Sequence, residues 1–342
     1  MSRHLTRRAV LAAAAVLALA ACSTEPADDD GATSGAAATS DGGDQPVAVE
    51  HAFGTTEVPG DATDVVTLGW GSTEAALALG VVPVGIEAQT YAVDENGLLP
   101  WVNEALADVD EQPTIVPAGV EEPAYEDIAG LEPDVILAPY SGVTQEQYDL
   151  LSEIAPTVVY PEEPWTTPWR EVITIVGTSL GLDAEAESLV ADLDATLEET
   201  AGAHPELQGV TVAAIWDVGG TFYVYKPADS RVDFLLDLGL ESAPSVEALD
   251  TGEETFVYSL SYEQTDQLDA ELIVNYASTQ DEVDTFLSQS YAQAIPAVAD
   301  GAVAHIVGDQ LVAAMSPPTA LSLDWGLTEY VEAISAAVAE IG

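Results

Sequence analysis

The sequence predicts an α/β protein made of two similar Rossmann-like lobes joined by one long helix. Short apolar runs alternate with segments of helical spacing, which is typical of parallel α/β sheets. The order of these segments in the first half returns in the second half, and helical spacing persists between the two. We therefore expect an N-terminal lobe over 51–167, a connecting helix over 168–203 and a C-terminal lobe over 204–342.

The first lobe is predicted from a buried strand at 65–70, followed by a helix that Ser72 can cap and Gly80 can close. Further strands are predicted at 81–86 and 134–138, with a helix at 125–131 before the second of them. This alternation of strands and helices predicts a sheet with parallel strand order.

The second half repeats this plan, with a strand predicted at 210–216 and a helix at 232–239 that also ends at a glycine. The most similar pair of segments aligns Tyr125-Glu126 and the strand after it with Tyr262-Glu263 and the strand at 271–274, at the same spacing. A helix before an apolar strand is common in α/β proteins, so this internal similarity alone is compatible with chance as well as with duplication.

The connecting segment begins at Trp169 and keeps apolar residues at helical spacing to about residue 200, with Gly177 and Gly181 as its weak points. A stiff helix between two lobes limits hinge motion, so we expect the lobes to close on a ligand with small movements.

The N-terminus is predicted to be an export signal. Three arginines, Arg3, Arg7 and Arg8, precede an apolar run at 9–21 that is too short to span a bilayer. The ending Leu19-Ala20-Ala21-Cys22 resembles a bacterial lipobox, which implies lipid attachment at Cys22 after cleavage. An ordinary signal peptide with a chance cysteine is the alternative, and the adjacent arginines leave the export route open. Residues 1–22 are thus assigned to a lipoprotein signal and 23–50 to a flexible tether.

The composition is strongly acidic, with 60 Asp and Glu against 6 Lys and Arg and a formal net charge of −54. Such a chain repels phosphate backbones and anionic bilayers, so neither nucleic-acid binding nor a basic membrane surface is expected. One cysteine excludes an intrachain disulfide, and His51, His204 and His305 are isolated, so no protein-ligated metal site is predicted.

Five segments resemble one known group of proteins, the helical-backbone class of ABC-transporter substrate-binding lipoproteins. They are 97–101 (Gly-Leu-Leu-Pro-Trp), 131–138 (Leu-Glu-Pro-Asp-Val-Ile-Leu-Ala), 154–158 (Ile-Ala-Pro-Thr-Val), 169–171 (Trp-Arg-Glu) and 316–322 (Ser-Pro-Pro-Thr-Ala-Leu-Ser). The resemblance covers about residues 60–342 and is strongest to the ferric-siderophore branch. It implies the class III periplasmic-binding-protein fold, no enzymatic activity, and capture of a ferric siderophore, with cobalamin or haem as alternatives.

The resemblance also implies partners. In the family each lobe presents a surface glutamate to arginines of the membrane permease, and these positions correspond here to Glu126 and Glu263. Chance pairing among 60 acids is the alternative. We expect a monomer, held on the extracytoplasmic face of the cell membrane by its lipid, with iron bound through the siderophore rather than by a protein cofactor.

Ligands of open α/β sheets bind beyond the carboxyl ends of the strands, where this chain places several aromatic residues. Aromatic side chains offer rigid area to a bulky, partly apolar chelate, although any one of them can instead be core. The predicted ligand-binding aromatics are Trp70, Tyr91, Tyr140, Trp165, Trp169, Trp216, Tyr223 and Tyr276.

Three cations remain after the signal is removed, namely Arg170, Lys226 and Arg231. Arg170 and Arg231 are predicted to contact the oxygen donors of the ligand, with an ordinary ion pair as the alternative. So few cations favour a neutral or cationic chelate, such as a ferric hydroxamate or a mixed type, over a tris-catecholate. A secreted carboxylate hydrolase is the less favoured second class, because no nucleophile elbow, zinc-protease motif or dinucleotide loop is present.

Overall fold

The computed structural model describes residues 45–119, 122–252 and 254–341. The predicted signal peptide, Cys22 and the tether up to residue 44 lie outside these described residues. Residues 47–50, which were predicted to belong to the tether, are part of the folded structure instead. Val47–His51 forms a strand that pairs antiparallel with Gly54–Val58. Its alternating pattern buries Val49 and His51, which explains why this stretch does not behave as a linker.

The first sheet is five-stranded and parallel, in the order β5-β4-β3-β6-β7. The N-terminal strands are β1 (Val47–His51), β2 (Gly54–Val58), β3 (Val65–Thr67), β4 (Gly85–Glu87), β5 (Thr114–Val116), β6 (Val135–Ala138) and β7 (Thr157–Val159). The helices between them are α1 (Ser72–Ala78), α2 (Pro100–Leu106), α3 (Tyr125–Ala129) and α4 (Gln145–Ser152). Strand β6 is apolar and buried along its whole length, as expected of a central parallel strand.

The connecting segment is two helices rather than one continuous helix. They are α5 (Trp169–Ser179) and α6 (Asp183–Ala203). Gly181 adopts a left-handed φ of 68°, which ends α5, and Asp183 starts α6 while its carboxylate accepts a hydrogen bond from Thr178 Oγ1 at 2.6 Å. The two helices run back along each other, since Arg170 near the start of α5 reaches Asp194 in the middle of α6.

The second sheet is mixed, in the order β11-β9-β8-β12-β13 with β10 beside β8. Its strands are β8 (Thr211–Val218), β9 (Thr221–Tyr225), β10 (Glu241–Ser242), β11 (Val257–Leu260), β12 (Leu272–Ala277) and β13 (Val303–Val307). Its helices are α7 (Ser230–Asp237), α8 (Pro244–Leu249), α9 (Gln280–Ser288), α10 (Pro296–Asp300), α11 (Asp309–Ala314) and α12 (Ser322–Val338).

The parallel order predicted from the alternation of elements fails at β9, which pairs antiparallel with β8 and β11. Gly219 and Gly220 both have positive φ and form the two-residue hairpin turn that reverses the chain. Strands β10, β8, β12 and β13 keep the parallel order.

Among the described residues, no helix is both long enough and apolar enough to cross a lipid bilayer.

Candidate functional site

The carboxyl ends of the parallel strands carry aromatic residues in both sheets. Trp70 follows β3 and Tyr140 follows β6, while Trp216 lies near the end of β8, in register with Tyr276 of β12. The two sets face each other. The rings of Tyr91 and Trp216 lie 6.3 Å apart between centroids, and Trp70 Nε1 donates to the carbonyl oxygen of Pro317 at 3.3 Å. We call the space between these strand ends the cleft.

Trp70 is held in place by its own loop. Gly69 has a φ of 74°, and a side chain there would meet the carbonyl oxygen of Tyr140. The Gly69 N–H donates to Glu87 Oε2 at 2.7 Å, and Gln89 Nε2 donates to the Gly69 carbonyl at 2.9 Å. These two side chains of the β4 end fix the peptide that aims the indole, a role that the sequence analysis missed. Their position at the end of a strand and two residues beyond it was the available signal.

Trp165 is the most exposed of the predicted aromatics, with 41% of its surface open. It has a φ of 62°, and its ring packs edge-on against Tyr140 with centroids 5.6 Å apart. Gly142 lies so close beneath the indole that a Cβ there would overlap it. Trp165 also borders a cavity of about 230 Å³ at the ends of the first sheet's strands. An exposed, backbone-strained indole beside a cavity suits contact with a ligand.

Three of the predicted aromatics are core residues in this structure. Tyr276 is 1% exposed and its hydroxyl lies 2.9 Å from that of Tyr330. Trp169 is 3% and Tyr140 8% exposed, and both line only a small cavity of about 10 Å³. For these three, the structure favours the core alternative that the sequence left open. Burial also raises the pKa of Tyr140 to about 12, so its hydroxyl stays protonated.

Four predicted aromatics keep half-buried positions at the strand ends, which is the exposure expected of a ligand-lining side chain. They are Trp70, Tyr91, Trp216 and Tyr223. The pKa of Tyr91 is raised by burial and then by the nearby Asp309 carboxylate. These residues and Trp165 are the aromatic surface that the structure brings together from both sheets.

Arg170 and Arg231 each form an ion pair in this structure, and their contact with a ligand stays a prediction. Arg170 Nε lies 2.6 Å from Asp194 Oδ1 and its Nη1 lies 2.7 Å from Asp237 Oδ2, so the residue joins α5, α6 and α7. Its guanidinium also covers the Trp169 ring at 4.2 Å. Lys226 pairs in the same way with Asp250, at 2.7 Å.

Arg231 is largely but not fully buried, with 14% of its side chain exposed. Its Nε lies 2.7 Å from Asp229 Oδ1, and its guanidinium carbon stands 3.9 Å from the centroid of the Tyr225 ring and 5.9 Å from that of Tyr276. Asp229 caps α7 by accepting the Arg231 backbone N–H at 3.0 Å. The charge of Arg231 is therefore already balanced by a partner within its own turn.

A second cavity, of about 460 Å³, lies where the segment after β7 meets the starts of α5 and α7. Four of its lining residues are the acids Glu162, Glu163, Glu171 and Asp233. Burial and then the neighbouring Glu162 raise the pKa of Glu171, and burial and then Asp237 raise that of Asp233. We call this space the acidic cavity. This cavity was not predicted from the sequence, although Glu162 and Glu163 stand just before Trp165.

The two predicted docking glutamates are both exposed. Glu126 lies in the first turn of α3, ahead of β6, and Glu263 lies in the turn between β11 and β12. The hydroxyls of Tyr262 and Tyr291 donate to the two oxygens of Asp217 at 2.8 and 2.5 Å, which braces the turn that carries Glu263. Contact with a permease stays a prediction.

The three histidines among the described residues each form a local side-chain contact. His51 Nε2 lies 2.9 Å from Thr56 Oγ1, His305 Nδ1 lies 3.1 Å from Asn275 Nδ2, and His204 Nδ1 lies 2.9 Å from Glu206 Oε1. Within residues 45–119, 122–252 and 254–341, no three His, Cys, Asp or Glu side chains are grouped so that they could hold a metal ion.

Comparison with known proteins gives relatives along most of the chain. The sequence is 29% identical over 239 residues to the Bacillus subtilis protein named "Probable siderophore-binding lipoprotein YfiY", covering 68% of this chain and 69% of that one. It is 32% identical over 128 residues to the achromobactin-binding periplasmic protein of Dickeya dadantii, 37% of each chain.

Solved structures agree on the fold. PiaA of Streptococcus pneumoniae in complex with ferrichrome superposes with a TM-score of 0.77 at 32% identity, over 86% of this chain and 100% of that one. Staphylococcus aureus SirA complexed with staphyloferrin B gives 0.66 at 24% identity, over 83% of this chain and 96% of that one. These matches confirm the predicted class III fold.

The sequence profile described as "Periplasmic binding protein" matches residues 65–309, which is well over half of the chain. This span runs from β3 through both sheets to the start of α11. The match supports a binding protein over the secreted hydrolase that the sequence left as its second class. The chain belongs to the periplasmic binding protein family.

Proposed function

We propose that this protein is the extracytoplasmic substrate-binding component of an ABC importer and captures a ferric siderophore of hydroxamate or mixed type. The observation that carries the proposal is the opposed aromatic surface of the cleft, which has rings from both sheets. Trp70, Tyr91 and Trp165 lie on loops that follow strands of the first sheet, and Trp216 and Tyr223 lie on β8 and β9 of the second. Such a surface suits a bulky organic shell around iron, and its likeness to ferrichrome-bound PiaA supports this ligand class.

The iron would reach the protein wrapped in its chelator. In this arrangement the aromatic rings hold the organic shell, the chelator supplies the oxygen ligands, and the protein changes neither. Delivery to the permease is proposed to use Glu126 and Glu263, whose exposed carboxylates can each meet a guanidinium. Lipid attachment at Cys22 would keep the protein at the membrane, in line with the lipoprotein name of the Bacillus subtilis relative.

The binding test is intrinsic-fluorescence quenching of the mature protein by iron-loaded hydroxamate, catecholate and mixed chelates, haem and cobalamin. We expect saturable quenching by a ferric hydroxamate or mixed chelate. Trp216→Leu should weaken binding about tenfold, because it removes a large ring from the cleft. Trp325→Leu is the matched control, since the Trp325 ring packs on Trp101, with centroids 5.5 Å apart, and not on the Tyr91 ring that faces Trp216 in the cleft. Tighter binding of haem or cobalamin, or no saturable ferric chelate, would overturn the proposal.

The delivery step has its own test. Glu126→Gln and Glu263→Gln should leave chelate affinity unchanged and lower siderophore-dependent growth, with the double variant the most affected. Glu241→Gln is the control, because Glu241 is exposed and lies opposite the start of β8, at the other end of that strand from Trp216. Growth equal to wild type in the double variant would contradict docking through these two residues.

A further inference from the structure

The cavity of about 230 Å³ beside Trp165, which we call the Trp165 cavity, lies at the carboxyl ends of the first sheet's strands. Its wall includes Leu68 after β3, Glu87 at the end of β4, Gly119 after β5 and Ser141 after β6. Pockets that enclose a whole drug-sized ligand measure roughly 300–1,000 Å³, and a ferric tris-hydroxamate is at least that large. The Trp165 cavity therefore has room for one arm of such a chelate and not for its iron-bearing core.

The polar side chains of this wall bond to the protein itself. Glu87 accepts the Gly69 N–H at 2.7 Å on one carboxylate oxygen and the Gly119 N–H at 2.9 Å on the other. The Ser141 hydroxyl donates at 2.8 Å to the last carbonyl oxygen of β6. Thr144 Oγ1 accepts a backbone N–H in the first turn of α4 at 3.3 Å. Because these hydrogen bonds are already made, an apolar guest can fill the space without leaving these groups unpaired.

The indole of Trp165 is a fixed wall of the cavity. Its loop is held by Thr167, whose hydroxyl donates to the carbonyl oxygen of Pro139 at 2.6 Å. Trp165 keeps a left-handed φ of 62°, which a residue other than glycine adopts only where its surroundings hold it. Its ring stands edge-on to Tyr140 and close against Gly142, where an added Cβ would lie 2.6 Å from the indole Nε1. Since this wall is in place before a ligand arrives, filling the cavity costs little ordering free energy.

We propose that the Trp165 cavity binds one neutral acyl arm of the captured ferric hydroxamate, between the indole of Trp165 and the buried side chains of Leu68 and Val143. The inference rests on the proposed function and makes it more specific, since it names the part of the ligand that this cavity selects. Trp165 belongs to both the aromatic surface and the cavity, so an arm of a chelate held in the cleft can enter. Gly142 is a positioning residue, because the indole can lie against it only while it has no side chain.

The test compares two ferric chelates that differ only in the length of their arms. Ferrichrome carries acetyl arms on its hydroxamates, and a synthetic analogue with butanoyl arms has two more methylene groups on each. We expect calorimetric titration of the wild-type protein to give about tenfold tighter binding of the butanoyl chelate, because burying two methylene groups of one arm supplies about this factor.

Two substitutions locate the source of this preference. Trp165→Ala removes one wall of the cavity, and Gly142→Ala displaces the same wall while keeping the indole. Each should reduce the preference to about twofold or less, in variants whose urea unfolding shows that they are folded. Gly202→Ala is the matched control, since Gly202 lies in open space within α6, and it should keep the tenfold preference.

Equal or tighter binding of ferrichrome by the wild type would overturn this inference while leaving the proposed function standing, because a ferric hydroxamate would still bind. A preference that survives Trp165→Ala or Gly142→Ala would also overturn it, and so would a preference that is lost in Gly202→Ala, since the cavity would then not be its source. Failure of both chelates, together with every other ferric chelate of the quenching screen, would end the proposed function itself.

Discussion

Replacing Arg231 by methionine is the substitution with the largest expected effect on folding. The side chain stands between the Asp229 carboxylate, at 2.7 Å, and the face of the Tyr225 ring, at 3.9 Å. Methionine keeps the apolar length of the side chain and removes the guanidinium. The carboxylate of Asp229, 4% exposed, then loses its counter-charge but keeps the backbone N–H of residue 231.

The cost follows from this geometry. Breaking one side of a buried ion pair costs about 3–5 kcal/mol, and the lost stacking on Tyr225 adds about 1 kcal/mol. The cap hydrogen bond from the residue 231 N–H is present before and after the change, so it offsets none of this cost. We therefore expect Arg231→Met to lose about 4–6 kcal/mol, a large share of the roughly 5–15 kcal/mol by which a domain is stable. Adding Asp229→Asn should recover about 2 kcal/mol or more, because asparagine caps a helix as well as aspartate does and carries no charge.

The assay is urea unfolding of the wild type, the two single variants and the double variant at pH 7. With a slope of about 3 kcal/mol per molar urea, Arg231→Met should shift the midpoint by about 1 M or more. A shift below about 0.3 M, or a double variant no more stable than Arg231→Met, would refute the buried-pair account. The chelate affinity of the double variant then separates the two possible roles of Arg231. An unchanged affinity supports a structural role, and a large loss of affinity supports contact with the ligand.

Three further changes test other parts of the structure. Burial raises the pKa of Glu74, which accepts a hydrogen bond from Trp101 Nε1 at 2.9 Å, so the folded state binds its proton more tightly than the unfolded state. The contribution of Glu74 to wild-type stability should consequently fall as pH rises from below the unfolded value of about 4.5 through the folded pKa, and Glu74→Gln should gain relative to wild type over that window in pH-dependent urea melts. Arg170→Met should lower the free energy of unfolding by about 1 kcal/mol, and by less in 1 M salt, while chelate affinity stays unchanged. A tenfold loss of affinity would instead indicate that Arg170 contacts the ligand. Gly181→Ala should cost about 1 kcal/mol because of its left-handed φ of 68°, whereas Gly202→Ala, in open space within α6, should stabilise by about 0.5–1 kcal/mol; equal effects on the thermal midpoint would contradict the turn.

The central strands β3, β6, β8 and β12 could be predicted because most of their residues are apolar. Val135–Ala138 and Leu272–Ala277 are buried throughout, and a run of this kind is the strongest local signal of a central parallel strand. The two-lobe plan also followed from such runs and from the order of their helices. The break at Gly181 was present as a weak point, but helical spacing continues across it. Only the packing of α5 along α6, with Gly177 close to Ala186, shows that the chain turns back.

The site was predictable in its aromatic part and not in its charges. Residues that follow strands in an α/β protein gather at one edge whatever the loops do, which is why Trp70 and Trp216 face the same cleft. The partner of a charged side chain is determined by the tertiary structure. Nothing in the sequence links Arg170 to Asp194 or Asp237, among 60 acids that are all possible partners. The acidic cavity escaped prediction for the same reason, because its four carboxylates come from three separate segments.

The most direct test of the central claim is the position of iron in a crystal of the protein grown with a ferric hydroxamate, located by anomalous scattering. The account predicts one iron peak between the two sheets, with Trp70 and Trp165 on one side of the chelate, Trp216 and Tyr223 on the other, and hydroxamate oxygens as its ligands. Iron bound by protein carboxylates, or lying outside the cleft, would contradict it.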